Sequence, residues 1–69
     1  MISPIEQMAQ ELLKLGDVDQ AIATYQLVKP EPARILKKIG VLYVEKKGDY
    51  NCAIKYYQKA LQLEKKVNR

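Results

Sequence analysis

An all-α array of helix pairs is the fold class this sequence predicts, and three observations carry the prediction. A ten-residue phrase occurs twice: Gly16-Asp17-Val18-Asp19-Gln20-Ala21-Ile22-Ala23-Thr24-Tyr25 returns as Gly48-Asp49-Tyr50-Asn51-Cys52-Ala53-Ile54-Lys55-Tyr56-Tyr57. Gly, Asp, Ala, Ile and Tyr keep their offsets, and the copies lie 48 − 16 = 32 residues apart. A period of this length marks one supersecondary unit, usually a helix pair, that stacks on a neighbour to bury its apolar face. Apolar residues recur at helical spacing on both sides of the repeated phrase. The gaps between them hold Gly-Asp and Pro-Glu-Pro, residues that end and open helices.

The first helix opens at Ser3-Pro4-Ile5-Glu6. Ser3 can cap, Pro4 suits the first turn, and Glu6 completes a capping box. Ile5, Met8, Ala9, Leu12 and Leu13 then form one apolar face, and Gly16 ends the helix. Asp17 caps the second helix, whose expected buried face is Val18, Ala21, Ile22 and Tyr25. Lys29-Pro30-Glu31-Pro32 stops it, because Pro30 cannot sit inside a helix and Pro32 can open the next one. The third helix carries Leu36, Ile39, Gly40 and Tyr43, widened by Ile35 and Leu42. Gly40 falls where the first copy has Ala9, so a small residue is expected at a close approach of two helices. Asp49 caps the fourth helix, with Tyr50, Ala53, Ile54, Tyr57, Ala60 and Leu61 as its expected stripe. No proline stops it, so it is expected to run to about Val67. Tyr56 and Leu63 lie off the stripe and make this helix apolar on more than one side.

These residues resemble the tetratricopeptide repeat family, stacks of antiparallel helix pairs. The second copy fits nearly throughout: Leu36, Ile39-Gly40, Tyr43, Gly48-Asp49-Tyr50, Ala53, Tyr57 and Ala60-Leu61. The first fits more loosely through Ile5, Met8-Ala9, Leu12, Gly16-Asp17, Ala21 and Tyr25, with Val28 at the expected second alanine. The resemblance implies a single domain over 1–69, with one repeat at about 3–30 and another at about 32–66. Family repeats run about 34 residues, but here Met8 to Ile39 and Leu12 to Tyr43 are both 31. The shortfall sits in the linker. One residue has been gained in the other turn, since Ala9 to Gly16 spans 7 and Gly40 to Gly48 spans 8. The addition lies within Val44-Glu45-Lys46-Lys47.

In that family the first helix of each pair lines a concave groove that receives an extended peptide or a partner helix. Carried over by register, the groove residues here are Ser3, Glu6, Gln10, Leu13 and Lys14, with Arg34, Lys37, the nearby Lys38, Val41, Val44 and Glu45. Periodicity independently leaves most of these positions outside the packing stripe. The resemblance therefore implies a non-enzymatic protein-binding module, in which Arg34, Lys37 and Lys38 favour an acidic partner. Some family members clamp C-terminal carboxylates with a Lys and two Asn. The matching places here hold Glu6, Gln10 and Lys38, which disfavours that function.

Composition narrows the alternatives. The chain has 69 residues, enough for one thin core. Hydrophobic residues make up 48%, too many for a disordered tail. No apolar run reaches the roughly 20 residues that span a bilayer, and the first residues lack a secretory pattern. Without His, and with Cys52 as the one cysteine, neither a metal site nor an internal disulfide is expected, and a cytoplasmic setting fits. No cofactor is expected. Cys52 lacks a neighbouring base and reads as a small filler, although its place near a helix start could lower the thiol pKa. Residues 1–33 sum to 2 − 5 = −3 and residues 34–69 to 10 − 3 = +7. Such an asymmetry suits head-to-tail self-association, for which Tyr56, Leu61 and Leu63 on the last helix are the expected apolar contacts, making a homo-oligomer or structural scaffold the alternative function. Lys55-Tyr56-Tyr57-Gln58-Lys59 interleaves aromatics with cations, as RNA binders do. Tyr57 reads as core, however, which leaves nucleic acid the weakest of the three readings.

Overall fold

The computed structural model describes residues 3–67, with side chains through residue 65. Four α-helices occur in it: α1 Pro4–Lys14, α2 Val18–Tyr25, α3 Ala33–Leu42 and α4 Tyr50–Val67. A π-helical turn, Tyr43–Lys47, continues α3. No strand occurs among the described residues, so the fold is all-α as expected. The chain divides into two compact units between Pro30 and Glu31. Within the first, α1 packs on α2; within the second, α3 packs on α4.

The first unit is framed by caps. Ser3 Oγ accepts from the Glu6 backbone N–H at 3.2 Å, and Pro4 follows in the first turn. Gly16, at φ +84°, closes α1. Its N–H donates to the Leu13 carbonyl and that of Asp17 to the Leu12 carbonyl, which together satisfy two otherwise orphaned acceptors. The Asp17 carboxylate then accepts from the Gln20 N–H at 3.2 Å and starts α2. Glu6, Ala9, Ala21, Ile22, Thr24 and Tyr25 are buried. Thr24 avoids a lost hydrogen bond by donating its hydroxyl to the Gln20 carbonyl at 2.8 Å.

Two expectations for this unit are corrected. Met8 is exposed, because the buried line of α1 runs through Glu6 and Ala9, with Leu13 half-buried beyond them. The face is thus turned away from Met8. The second helix also ends at Tyr25, ahead of the proline segment. Its last turn tightens as the Leu27 N–H donates to Thr24 and the Val28 N–H to Tyr25. The Lys29–Pro30 peptide is cis.

In the second unit, Pro32 stands at the N-cap of α3, and its carbonyl accepts from the Ile35 and Leu36 N–H groups. Ile35, Leu36, Ile39, Gly40 and Leu42 are buried. The extra residue within Val44–Lys47 is absorbed by the π turn. There Gly48, at φ +63°, and Asp49 both donate their N–H to the Tyr43 carbonyl. Asp49 in turn accepts from the Cys52 N–H at 3.1 Å and starts α4.

Packing in this unit is close where the sequence places small residues. A Cβ on Gly40 would lie 3.2 Å from the Tyr57 ring and 3.4 Å from the Ala53 carbonyl oxygen. Ala53 and Ala60 are the fully buried centre of the α4 face. That face is rotated from the expected stripe. Tyr56 and Leu63 turn inward and are half-buried, while Tyr50, Ile54, Tyr57 and Leu61 are exposed. Tyr56 meets Tyr43 in this packing, and their rings stack with centroids 5.7 Å apart.

Candidate functional site

The residues expected to meet a partner have different fates on α1 and α3. Glu6 is 1% exposed, so its carboxylate is withdrawn from the surface and its place in the groove is corrected. It lies near Tyr25, whose hydroxyl pKa is raised by burial first and then by the Glu6 charge. Gln10 and Leu13 are half-buried. Lys14 is exposed and pairs with Glu11 at 3.3 Å, one turn away, a contact that adds little in water.

On α3, Arg34 and Lys38 are exposed and Val41 is half-buried. They stand at offsets 0, 4 and 7 and so share one helical face. Lys37 sits beside this face, and its Nζ donates to the Glu64 carboxylate of α4 at 2.6 Å. It therefore braces the helix pair. Val44, half-buried, and Glu45, exposed, follow on the π turn.

The self-association residues are also redistributed. Leu61 is exposed as expected, whereas Tyr56 and Leu63 are half-buried in the α3–α4 packing and are corrected. Tyr56 stacks on Tyr43 and carries the Lys59 ammonium 5.2 Å from its ring centroid. These contacts engage the aromatic that a nucleic-acid reading would use. Position 43 reads as a packing residue in sequence, and nothing local marks it as the partner of Tyr56.

Cys52 behaves contrary to the expectation from its place near a helix start. Its thiol pKa is raised, chiefly by a hydrogen bond to Asp49, with burial and the Asp49 charge acting the same way. Asp49 itself is held below the usual carboxylate value by the Cys52 backbone N–H and then by the thiol. Among the described residues, no group of three or more His, Cys, Asp or Glu could hold a metal ion. No described helix is long and apolar enough to cross a membrane.

The model of the tetratricopeptide repeat family matches residues 5–28 and 33–67. These segments coincide with the two helix pairs. This chain belongs to the tetratricopeptide repeat family. No curated protein and no solved structure matches it. Tetratricopeptide repeats are generally protein-interaction modules and are typically non-enzymatic. The two matched segments of this tetratricopeptide chain begin at the second residue of α1 and at the first residue of α3.

Proposed function

We propose that this tetratricopeptide chain is a non-enzymatic module that binds an extended acidic peptide, or an acidic partner helix, along α3. The observation that carries the reading is the shared face of Arg34, Lys38 and Val41, two exposed cations beside an apolar side chain. Cations steer and orient an acidic segment, and Val41 and Val44 offer apolar contact at the same place. On α1, Gln10, Leu13 and Lys14 are the register equivalents of Val41, Val44 and Glu45. Glu45 would set direction by repelling an acidic residue at that end of the peptide.

Fluorescence anisotropy tests this with a labelled peptide of alternating Glu and Leu as the probe. Binding should weaken as salt is raised, since exposed charges are screened over about 8 Å at physiological ionic strength. Arg34→Glu with Lys38→Glu should weaken binding by at least about tenfold, mostly through slower association. Affinity and salt dependence that survive this double substitution would remove α3 from the binding surface.

A further inference from the structure

The two copies of the repeat bury the same small residues, Ala9 and Gly40 on the first helices and Ala21 and Ala53 on the second, but differ in the larger residues beside them. On α2, Ile22 and Tyr25 are 5% and 1% exposed, whereas their equivalents on α4, Ile54 and Tyr57, are 52% and 36% exposed. The first helices show the reverse. Ile35, Ile39 and Leu42 on α3 are buried, whereas Pro4, Met8 and Glu11, which lie 31 residues earlier, are exposed. Each of these positions is therefore closed once and open once in the chain.

The open residues form two lines of identical spacing. On α4 they are Tyr50, Ile54, Tyr57 and Leu61, at offsets 0, 4, 7 and 11, Tyr57 contributing only the part of its ring that does not pack on Gly40. On α1 they are Pro4, Met8, Glu11 and the C-cap residue Leu15, at the same offsets. Rows spaced by four and three residues are the ridges by which helices interlock. We propose that the α1 line of one copy docks on the α4 line of a second copy, so that copies associate head to tail. Charge selects this pairing over a symmetric one. Residues 1–33 sum to −3 and residues 34–69 to +7, so joining the first unit of one copy to the second unit of another joins opposite charges, whereas α4 on α4 joins like charges. On α1 itself Glu6 is buried and Glu11 pairs with Lys14, so the attraction comes from the unit and not from the docking line. The contact uses neither Arg34 nor Lys38, so it stands apart from peptide binding. One stripe of each kind stays open at every step, which gives growing chains or a closed ring.

Sedimentation equilibrium of the full chain over a concentration series, at low salt, tests the proposal. The average mass should rise above 7.9 kDa with concentration and fall as salt is added. Met8→Lys removes the α1 line and Ile54→Glu the α4 line, each placing a charge against its like on the docking partner. Both residues are exposed, so far-UV circular dichroism should be unchanged, and Leu15→Lys and Leu61→Glu serve as second variants. Each variant alone should associate about tenfold or more weakly than the parent. Mixed in equal amounts, Met8→Lys and Ile54→Glu should form a dimer and nothing larger, because one retains the α4 line and the other the α1 line. A parent that stays monomeric throughout overturns the proposal. So does association that survives either substitution, including a symmetric α4 pair that Met8→Lys leaves intact. A mixture that remains monomeric overturns it as well.

Discussion

Tyr25 and Tyr57 occupy the same place in the two copies, yet the first is buried and the second is 36% exposed with its ring edge against Gly40. Sequence alone assigns both to the core, because it registers the offset and not the neighbours. Removing the Tyr25 ring should cost about 3–5 kcal/mol, as large aromatic truncations in cores do. Tyr57→Ala should cost clearly less, about 1–2 kcal/mol, since part of the ring is already in water. Urea titrations of both variants measure the difference, and equal losses would refute the burial contrast. Asp49 allows a second test at this scale. Its folded pKa lies below the ordinary 3.8, so its contribution is present above that value and is lost as pH falls through the lower, folded value. Asp49→Asn keeps a capping side chain but should flatten this acid-limb dependence in thermal melts from about pH 5 downward. It should also speed Cys52 alkylation near neutral pH, because the neighbouring carboxylate that raises the thiol pKa is gone. An unchanged alkylation rate would show that Asp49 does not govern the thiol.

Element boundaries were readable where a local residue decides them. Ser3, Asp17 and Asp49 cap as their types require, and Gly16 and Gly48 take the left-handed conformation that ends a helix. Rotation of the elements was less readable. The α4 face has Tyr56 meeting Tyr43 and has Ala53 and Ala60 lying innermost, a matter of tertiary pairing that periodicity cannot see. The inserted residue was visible as a count, but its π form was not. In the first copy the Asp17 N–H reaches back five residues to Leu12; in the second the Asp49 N–H reaches back six, to Tyr43. The same junction is made with one residue more in the ring. Deleting the exposed Lys46 should therefore turn the π turn into a copy of the first. The Lys46-deleted chain should keep its helical circular dichroism and melt no lower than the parent, because π geometry is the less favourable one. Loss of cooperative melting would mean that the sixth residue is required for α3 to meet α4.

For the molecule as a whole, fold and family were legible because a repeat states its own architecture twice. The candidate binding surface was legible only in part. Arg34, Lys38 and Val41 share a face as helical spacing requires. Glu6 is inside and Lys37 is tied to Glu64, because side chains of this length choose partners across helices that a linear register does not display. The uneven charge, by contrast, is a property of the sequence and is read from it directly.

The distribution of aromatic residues has an optical consequence. The chain has no tryptophan and five tyrosines, of which Tyr43, Tyr50, Tyr56 and Tyr57 belong to the second unit and Tyr25 alone to the first. Ultraviolet absorbance and emission are thus weighted four to one toward residues 31–69, whereas far-ultraviolet ellipticity draws on helices of both units. A melt followed at both wavelengths compares the second unit with the whole and needs no attached dye. Coincident curves would mean that the two helix pairs come apart together, and separated curves would give each its own midpoint.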